Sequence, residues 1–271
     1  MKKFIFLLLI IPILSFTNLQ GQKQDIFIPT ELEQAYEAGT RSYSGKPGPK
    51  YFQNTADYQI EAEFNPETGI LKGSEVINYQ NNSPDTLKFL VLRVYMNFFK
   101  KGIERDFGIP ATDLHDGVDI SNVEIDGKSA DPEGSPRFVG RPGTVQTIKL
   151  ADPVSPGTST SISLDWKVKL PTEVAIRMGR YGKENNWFVA YWYPHVSVYD
   201  DISGWDTHPF TGSAEFYYDF SNFDVKLILP GDYMVWGTGL LQNAEENYKP
   251  TVIEKINKAK QIGRASCRER V

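Results

Sequence analysis

The sequence predicts an all-β fold, an antiparallel β-sandwich, with the start of a helix near its C-terminal end. Three observations predict it. Apolar residues recur with period two in several runs, clusters of Gly, Pro, Asn and Asp separate those runs, and no long helical period lies between them. Successive strand side chains point to opposite faces, so period two gives one apolar face and one wet face.

The chain opens with Met1-Lys2-Lys3, a nearly unbroken apolar run from Phe4 to Phe16, and a small-polar exit from Thr17 to Gly21. Roughly twenty apolar residues are needed to span a bilayer, more than this run supplies. The pattern predicts a cleavable signal peptide over residues 1–21 and an exported protein, periplasmic or secreted. A buried core helix is the alternative, against which Pro12 and the lysine pair argue. No cysteine follows the run, so no lipid or other membrane anchor is expected.

Residues 22–50 read as a leader and linker. Thr30–Ala38 predicts a short helix, with Thr30 as N-cap and Glu33 three residues on. Gly45-Lys46-Pro47-Gly48-Pro49-Lys50 breaks regular structure; it lacks the spacing and Lys-Ser/Thr ending of a phosphate loop. Residues 51–243 form the predicted sandwich domain. Tyr58, Ile60, Ala62 and Phe64 alternate with polar residues, Asn65–Gly69 turns, and Ile70–Tyr79 returns as a partner strand. Leu87–Val94 is apolar on both faces, which predicts a central strand. Ile162, Leu164, Trp166, Val168 and Leu170 give the clearest alternation. Asp224–Leu229 and Tyr233–Trp236 predict a further pair around Pro230-Gly231-Asp232. Residues 244–260 read as the start of a helical link, opening at Thr251 with Glu254 completing a capping box. Residues 261–271 read in one frame as the translation of a short-read sequencing adapter and are set aside as an artefact. The native sequence is therefore expected to run on past Lys260.

Lys plus Arg total 29 against 34 Asp plus Glu, a net charge of -5, and setting both ends aside makes the remainder more acidic. Phosphate binding needs clustered Lys and Arg, so nucleic acid is not an expected partner. The single cysteine, Cys267, lies in the adapter-like tail, which leaves no disulfide or thiolate chemistry elsewhere.

Several residue groups admit a sharp and a plain reading. His115, His195 and His208 lie far apart, in loop-like contexts; solvent-facing or hydrogen-bonded loop histidines are preferred over zinc ligands. Asp113, Asp116 and Asp119 suggest an oxygen-rich calcium site or a solvated turn, and the turn is preferred because the EF-hand spacing is missing. Asp200, Asp201 and Asp206 offer paired carboxylates of glycosidase type or ordinary turn chemistry; turns are preferred. No G-x-S-x-G elbow supports a serine hydrolase. Over a third of the aromatic residues fall between Trp187 and Phe223. They fill a core, face a neighbouring domain or form a ligand platform, in that order of preference.

Two stretches carry a family resemblance. The first reads Y-x-I-x-A-x-F, then L-x-G-S-E, from Tyr58 to Glu75, followed by Tyr79-Gln80-Asn81-Asn82-Ser83-Pro84-Asp85-Thr86-Leu87. The second holds Trp192-Tyr193-Pro194, Tyr199-Asp200-Asp201, Gly204-Trp205, Pro209-Phe210, Ala214-Glu215-Phe216-Tyr217 and Phe223-Asp224-Val225. It closes with Gly237-Thr238-Gly239-Leu240-Leu241-Gln242-Asn243. The chain thus resembles the amino-terminal domain of the aminopeptidase N and leukotriene-hydrolase family of gluzincin zinc metallopeptidases, bacterial branch. The resemblance implies a parent enzyme that binds zinc through H-E-x-x-H and a distant Glu, and that removes N-terminal residues from peptides. This sequence contains no His-Glu pair. It is therefore expected to be a non-catalytic piece with no catalytic or metal residue of its own, docking on a catalytic domain of the same chain. Tyr191 and Trp192, just before the proline, are the implied substrate-pocket wall, although bacterial relatives often carry Gln where Tyr191 stands. A free-standing binding module for carbohydrate or adhesion is the alternative.

Overall fold

The computed structural model describes residues 27–131, 133–140, 142–173, 177–182 and 185–268, with side chains through residue 260. The predicted signal peptide lies outside the described residues. Residues 27–228 form one compact unit and the residues from Leu229 onward a second.

The first unit is a sandwich of two principal sheets. Its strands are β1 (Thr55–Asn65), β2 (Ile70–Gln80), β3 (Leu87–Arg93), β4 (Asp119–Ile125), β5 (Lys128–Ser129), β6 (Arg137–Val139) and β7 (Val145–Val154). There follow β8 (Ser159–Lys169), β9 (Met178–Tyr181), β10 (Asn186–Val189), β11 (His195–Val196), β12 (Tyr199–Asp200), β13 (Gly204–Trp205) and β14 (Ser221–Ile228). The larger sheet has the order β14-β1-β2-β8-β4-β5 and the smaller β11-β3-β7-β6, with β9–β10 and β12–β13 as separate hairpins.

Strand β1 alternates exposed and buried residues along its whole length. Its hairpin with β2 pairs Asn65 with Ile70. The turn is closed by the Asn65 carboxamide, which accepts from the Glu67 and Thr68 amides at 3.0 and 3.1 Å, and by Gly69 at φ 69°. Strand β8 lies on the other side of β2, facing Leu164 with Glu75 and Trp166 with Gly73. Ile60, Ile77, Ile162, Leu164 and Trp166 from this sheet and Leu90, Leu92 and Ile148 from the smaller one are all essentially inaccessible. Burial of that apolar surface is the main stabilising term. The central position predicted for Leu87–Val94 holds, since β3 lies between β11 and β7.

One pairing departs from the antiparallel expectation: β14 runs parallel to β1, with Tyr58 opposite Phe223 and Ala62 opposite Leu227. The predicted partner of β14 does not form. Tyr233–Trp236 has no ladder in the second unit, where a turn is closed by the Tyr233 amide donating to the Pro230 carbonyl at 3.0 Å.

The helices are α1 (Thr30–Ala38), α2 (Ala244–Asn247) and α3 (Pro250–Arg268). Thr30 is the first helical residue of α1 and not its cap, because Pro29 takes the cap position and no side chain caps it. Helix α3 begins at Pro250, where a missing N–H costs nothing, and so starts one residue before the capping box read at Thr251. It runs through Arg268, well beyond Lys260, and thus through backbone that the sequence reading set aside; residues 269–271 lie outside the described residues. Among the described residues, no helix is long and apolar enough to cross a membrane.

Candidate functional site

The segment from Trp187 to Phe223 is tied to the sandwich by two arginines. Arg93, at the end of β3, is 1% exposed. Its guanidinium donates to Ser197 Oγ at 3.2 Å, to the Asp206 carbonyl at 3.0 Å and to the His208 carbonyl, and it pairs with the Asp206 carboxylate. A guanidinium has a fixed fork of donors, which suits it to gather two carbonyls, a hydroxyl and a carboxylate at once. Arg41, from the leader, makes a bidentate contact with Asp201 at 2.9 and 2.5 Å and lies over the Tyr51 ring. The segment read as a linker therefore carries a specific clamp onto the loop between β12 and β13.

Each carboxylate of the Asp200, Asp201 and Asp206 group is occupied. Asp200 accepts from the Ile202 and Ser203 amides and from the Tyr217 hydroxyl at 2.6 Å. This is turn chemistry, as preferred. Asp113 differs from the solvated-turn reading. It is buried, and its carboxylate accepts from the Thr172 amide at 2.7 Å and the Glu173 amide at 3.1 Å, which anchors the chain leaving β8. Asp116 is exposed beside Lys101.

His195 overturns the loop reading. It lies in β11, pairs opposite Arg93 and is 5% exposed. Its ring stacks on Tyr58 at 5.0 Å and approaches Tyr218 at 4.1 Å. Burial pushes its pKa down to about 4, so the ring is neutral at physiological pH. His115 is half-buried, its Nδ1 accepting from the Gly117 amide at 2.9 Å, and His208 is exposed.

The aromatic cluster is chiefly a packing device. Tyr95 contacts Phe216 at 3.8 Å, Tyr191 at 5.3 Å and Phe210 at 5.9 Å, and Tyr58 meets Tyr193 and Phe223. Tyr191 adopts a left-handed backbone (φ 54°) and is half-buried against Tyr95 and Phe216. Trp192 packs on Trp166 at 5.6 Å and on Tyr193 at 4.9 Å. Two small cavities open nearby. One of about 20 Å³ is lined by Arg93, Asp206, His208 and Phe216, and one of about 10 Å³ by Tyr58, Tyr79, His195 and Asp219. Neither is lined by Tyr191 or Trp192, and each has room for about one water-sized guest.

Sequence reasoning passed over two residues. Glu75 is 2% exposed, between Ile60 and Leu164, and neither carboxylate oxygen has a hydrogen-bond partner. Burial holds its carboxyl well above the usual carboxylate range, and therefore protonated. The signal was present: alternation along β2 puts Glu75 in phase with Leu71, Ile77 and Tyr79, an inward position for an acid. Arg93 ends the apolar run of β3 and gave no comparable signal.

Compared with known proteins, the chain matches no family model and no curated protein. It has neighbours among solved structures. The ones it is most readily compared with are zinc metallopeptidases. A mutant of the M1 zinc metallopeptidase from Deinococcus radiodurans, bound to a Tyr-Ser-Ala substrate, is 15% identical. The match covers 73% of this chain and 37% of that one, with a TM-score of 0.41. Another structure of the M1 zinc metallopeptidase from that organism gives 14%, 73%, 37% and 0.39. A two-domain M1 zinc metallopeptidase mutant bound to L-tryptophan gives 14%, 73%, 39% and 0.38. The chain spans less than two fifths of the length of these structures. The fold described above stands on its own strands, registers and burial and does not lean on these likenesses.

The described residues offer no set of donors that fits zinc. Among the described residues, no three His, Cys, Asp or Glu side chains gather where a metal ion could be held. His195 is enclosed by rings, and Asp113, Asp201 and Asp206 are each committed to donors of the chain itself. No chemical step through a metal is assigned to these residues.

Proposed function

We propose that this chain is the non-catalytic amino-terminal β domain, residues 51–243, of an exported zinc metallo-aminopeptidase. The zinc and the peptide-cleaving residues would belong to a catalytic domain of the same polypeptide, joined through residues 244–260. The observation that carries this reading is where the family-like residues fall. Tyr58, Gly73 and Glu75 of the first stretch lie within the larger sheet, and Tyr193, Trp205 and Phe223 of the second pack their rings on Tyr58 or Tyr79 of that sheet. The resemblance thus resides in fold-determining positions, as expected of a shared domain and not of a shared short motif.

In this reading the domain would border the peptide-binding cleft of the parent, and Tyr191 and Trp192 would form part of its wall. Both rings already rest on core aromatics. Changing both to alanine in the extended protein should alter its preference for the N-terminal residue of a peptide; an unchanged preference removes them from the wall. The deciding experiment is to read the gene through and beyond the Lys260 codon. H-E-x-x-H within roughly the next hundred residues is the expected result. The purified chain should bind no stoichiometric zinc and hydrolyse no aminoacyl substrate. Robust hydrolysis by the chain alone, or a reading frame without those ligands, overturns the proposal, and selective glycan binding would instead favour a free-standing binding module.

A further inference from the structure

Asp-Gly occurs twice in the chain, at Asp116-Gly117 and at Asp126-Gly127. The nitrogen that follows an aspartate can attack its side-chain carbon and close a cyclic imide. Glycine, which has no Cβ, shields that nitrogen least. The structure sets the two steps apart. Asp126 is held away from the amide that follows it, because its carboxylate accepts from the Ser161 amide at 2.8 Å and from the Thr160 hydroxyl at 2.9 Å. Asp116 has no such tether. Its side chain is 93% exposed and meets Lys101 at 3.1 Å, a pairing that solvent renders weak.

The Gly117 amide, by contrast, is held in place. It donates to His115 Nδ1 at 2.9 Å, so the hydrogen that must leave before the nitrogen attacks already points at a base. Burial is the largest influence on the half-buried His115 ring and lowers its pKa; Lys100 and Lys101 add to this and Asp116 opposes it, with the net shift downward. The ring is therefore held as the free base near neutral pH. Gly117 has φ 115°, and a Cβ there would meet Asn97 Oδ1 at 3.0 Å and Lys100 Nζ at 3.3 Å, so the fold itself demands the unshielded residue. Both flanks are anchored. The His115 amide donates to the Phe99 carbonyl at 3.0 Å, the His115 carbonyl accepts from the Lys101 amide at 2.9 Å, and the Val118 amide donates to Asn97 Oδ1 at 2.7 Å. Asp116 and Gly117 are thus a short tip with a mobile carboxyl group and a fixed amide.

We propose that Asp116-Gly117 is a self-modifying site, at which His115 acts as general base in converting Asp116 to isoaspartate through a cyclic imide. His115 Nδ1 takes the Gly117 amide hydrogen as that nitrogen bonds to Cγ of the Asp116 carboxylic acid. The hydroxyl oxygen of that acid leaves as water, with its own hydrogen and the proton held by His115. Water then adds to the main-chain carbonyl of the imide and breaks its bond to nitrogen. The main chain now runs through Cγ, one carbon longer, and the freed carboxylate stands on Cα. The longer link loosens the tip between its two anchors. The inference uses nothing of the peptidase reading.

The test compares native and urea-unfolded full-length chain after prolonged incubation near neutral pH. Digestion with an aspartate-specific endoproteinase and mass spectrometry read both sites, since isoaspartate resists cleavage at unchanged mass and the imide is lighter by one water. Asp116 should convert at least about tenfold faster in the native chain than in urea, a modest share of what a positioned general base supplies. Asp126 should convert more slowly in the native chain than in urea. His115→Gln, with circular dichroism to confirm folding, should remove the acceleration at Asp116 and leave Asp126 unchanged. Asp116→Asn keeps His115 and Gly117 and gives a second reading: loss of ammonia at residue 116 should likewise be faster in the native chain than in urea. Conversion of Asp116 no faster in the native chain than in urea, or an acceleration that survives His115→Gln, overturns the proposal.

Discussion

Two buried ionisable side chains give the sandwich opposite responses to pH. Glu75, with its raised carboxyl, holds a proton in the native state that the unfolded chain releases near its ordinary value of 4.5. The native state therefore binds more protons above that pH, and stability falls as pH rises, by about 1.4 kcal/mol per pH unit, until the native value is reached. His195 acts in the other direction. Its native pKa of about 4 lies below the ordinary 6.5, so its contribution is present above 6.5 and is lost as pH falls towards 4. Urea midpoints measured across this range should show Glu75→Gln flattening the descending limb and His195→Asn flattening the acid limb; curves parallel to the unaltered chain would remove these groups as the cause. The Arg93–Asp206 pair gives a third test. Removing one partner of a buried pair leaves a desolvated charge, a loss of about 3–5 kcal/mol in general. Arg93 keeps three other acceptors, so Asp206→Ala should lie at or below about 3 kcal/mol by denaturant titration, and Arg93→Met should lose more, because it leaves the Asp206 carboxylate without its ion-pair partner and takes the guanidinium donor from the His208 carbonyl. Of these residues Glu75 was legible in advance, as an acid in an apolar phase. His195 was not, because a two-residue strand has no period to read.

At the scale of the element, legibility follows strand length. β1, β2 and β8 each have eleven residues, enough for alternation to declare the buried face. Strands β11, β12 and β13 have two residues each and are set by Arg93, Asp200 and the rings around them. Strand β7 was missed because its inward residues, Ile148 and Leu150, are interrupted by Ala151, Asp152 and Pro153 before Val154. Tyr233–Trp236 forms no strand, since a run of β-prone residues reports a willingness to pair and not a partner. Gly73 shows what close approach demands of an element. A methyl group there would lie 2.6 Å from the Trp166 ring and 2.7 Å from the Glu61 carbonyl. The ring is 2% exposed and cannot retreat. Gly73→Ala should therefore destabilise by about 1–3 kcal/mol through overpacking, and thermal unfolding with an unshifted midpoint would show that β2 and β8 part more easily than their pairing suggests.

At the scale of the molecule, the two units differ in what protects them. Residues 229–243 carry no regular structure and present Met234, Trp236, Leu240 and Leu241 to solvent. Brief chymotrypsin digestion should cut there first and leave a resistant product ending near residue 228; initial cutting between β1 and β8 would contradict the division. The sheet order also fixes a schedule. The first strand of the larger sheet and its parallel neighbour are joined by contacts such as Asn222 to Asp57, 165 residues apart. While a ribosome is making this chain, β1 and β2 can meet within a few residues of synthesis, but the flank of β1 stays bare until almost the whole unit has emerged. Contacts that distant add loop-closure entropy and slow folding, so a chain halted before Ser221 would offer that flank to any extended segment nearby.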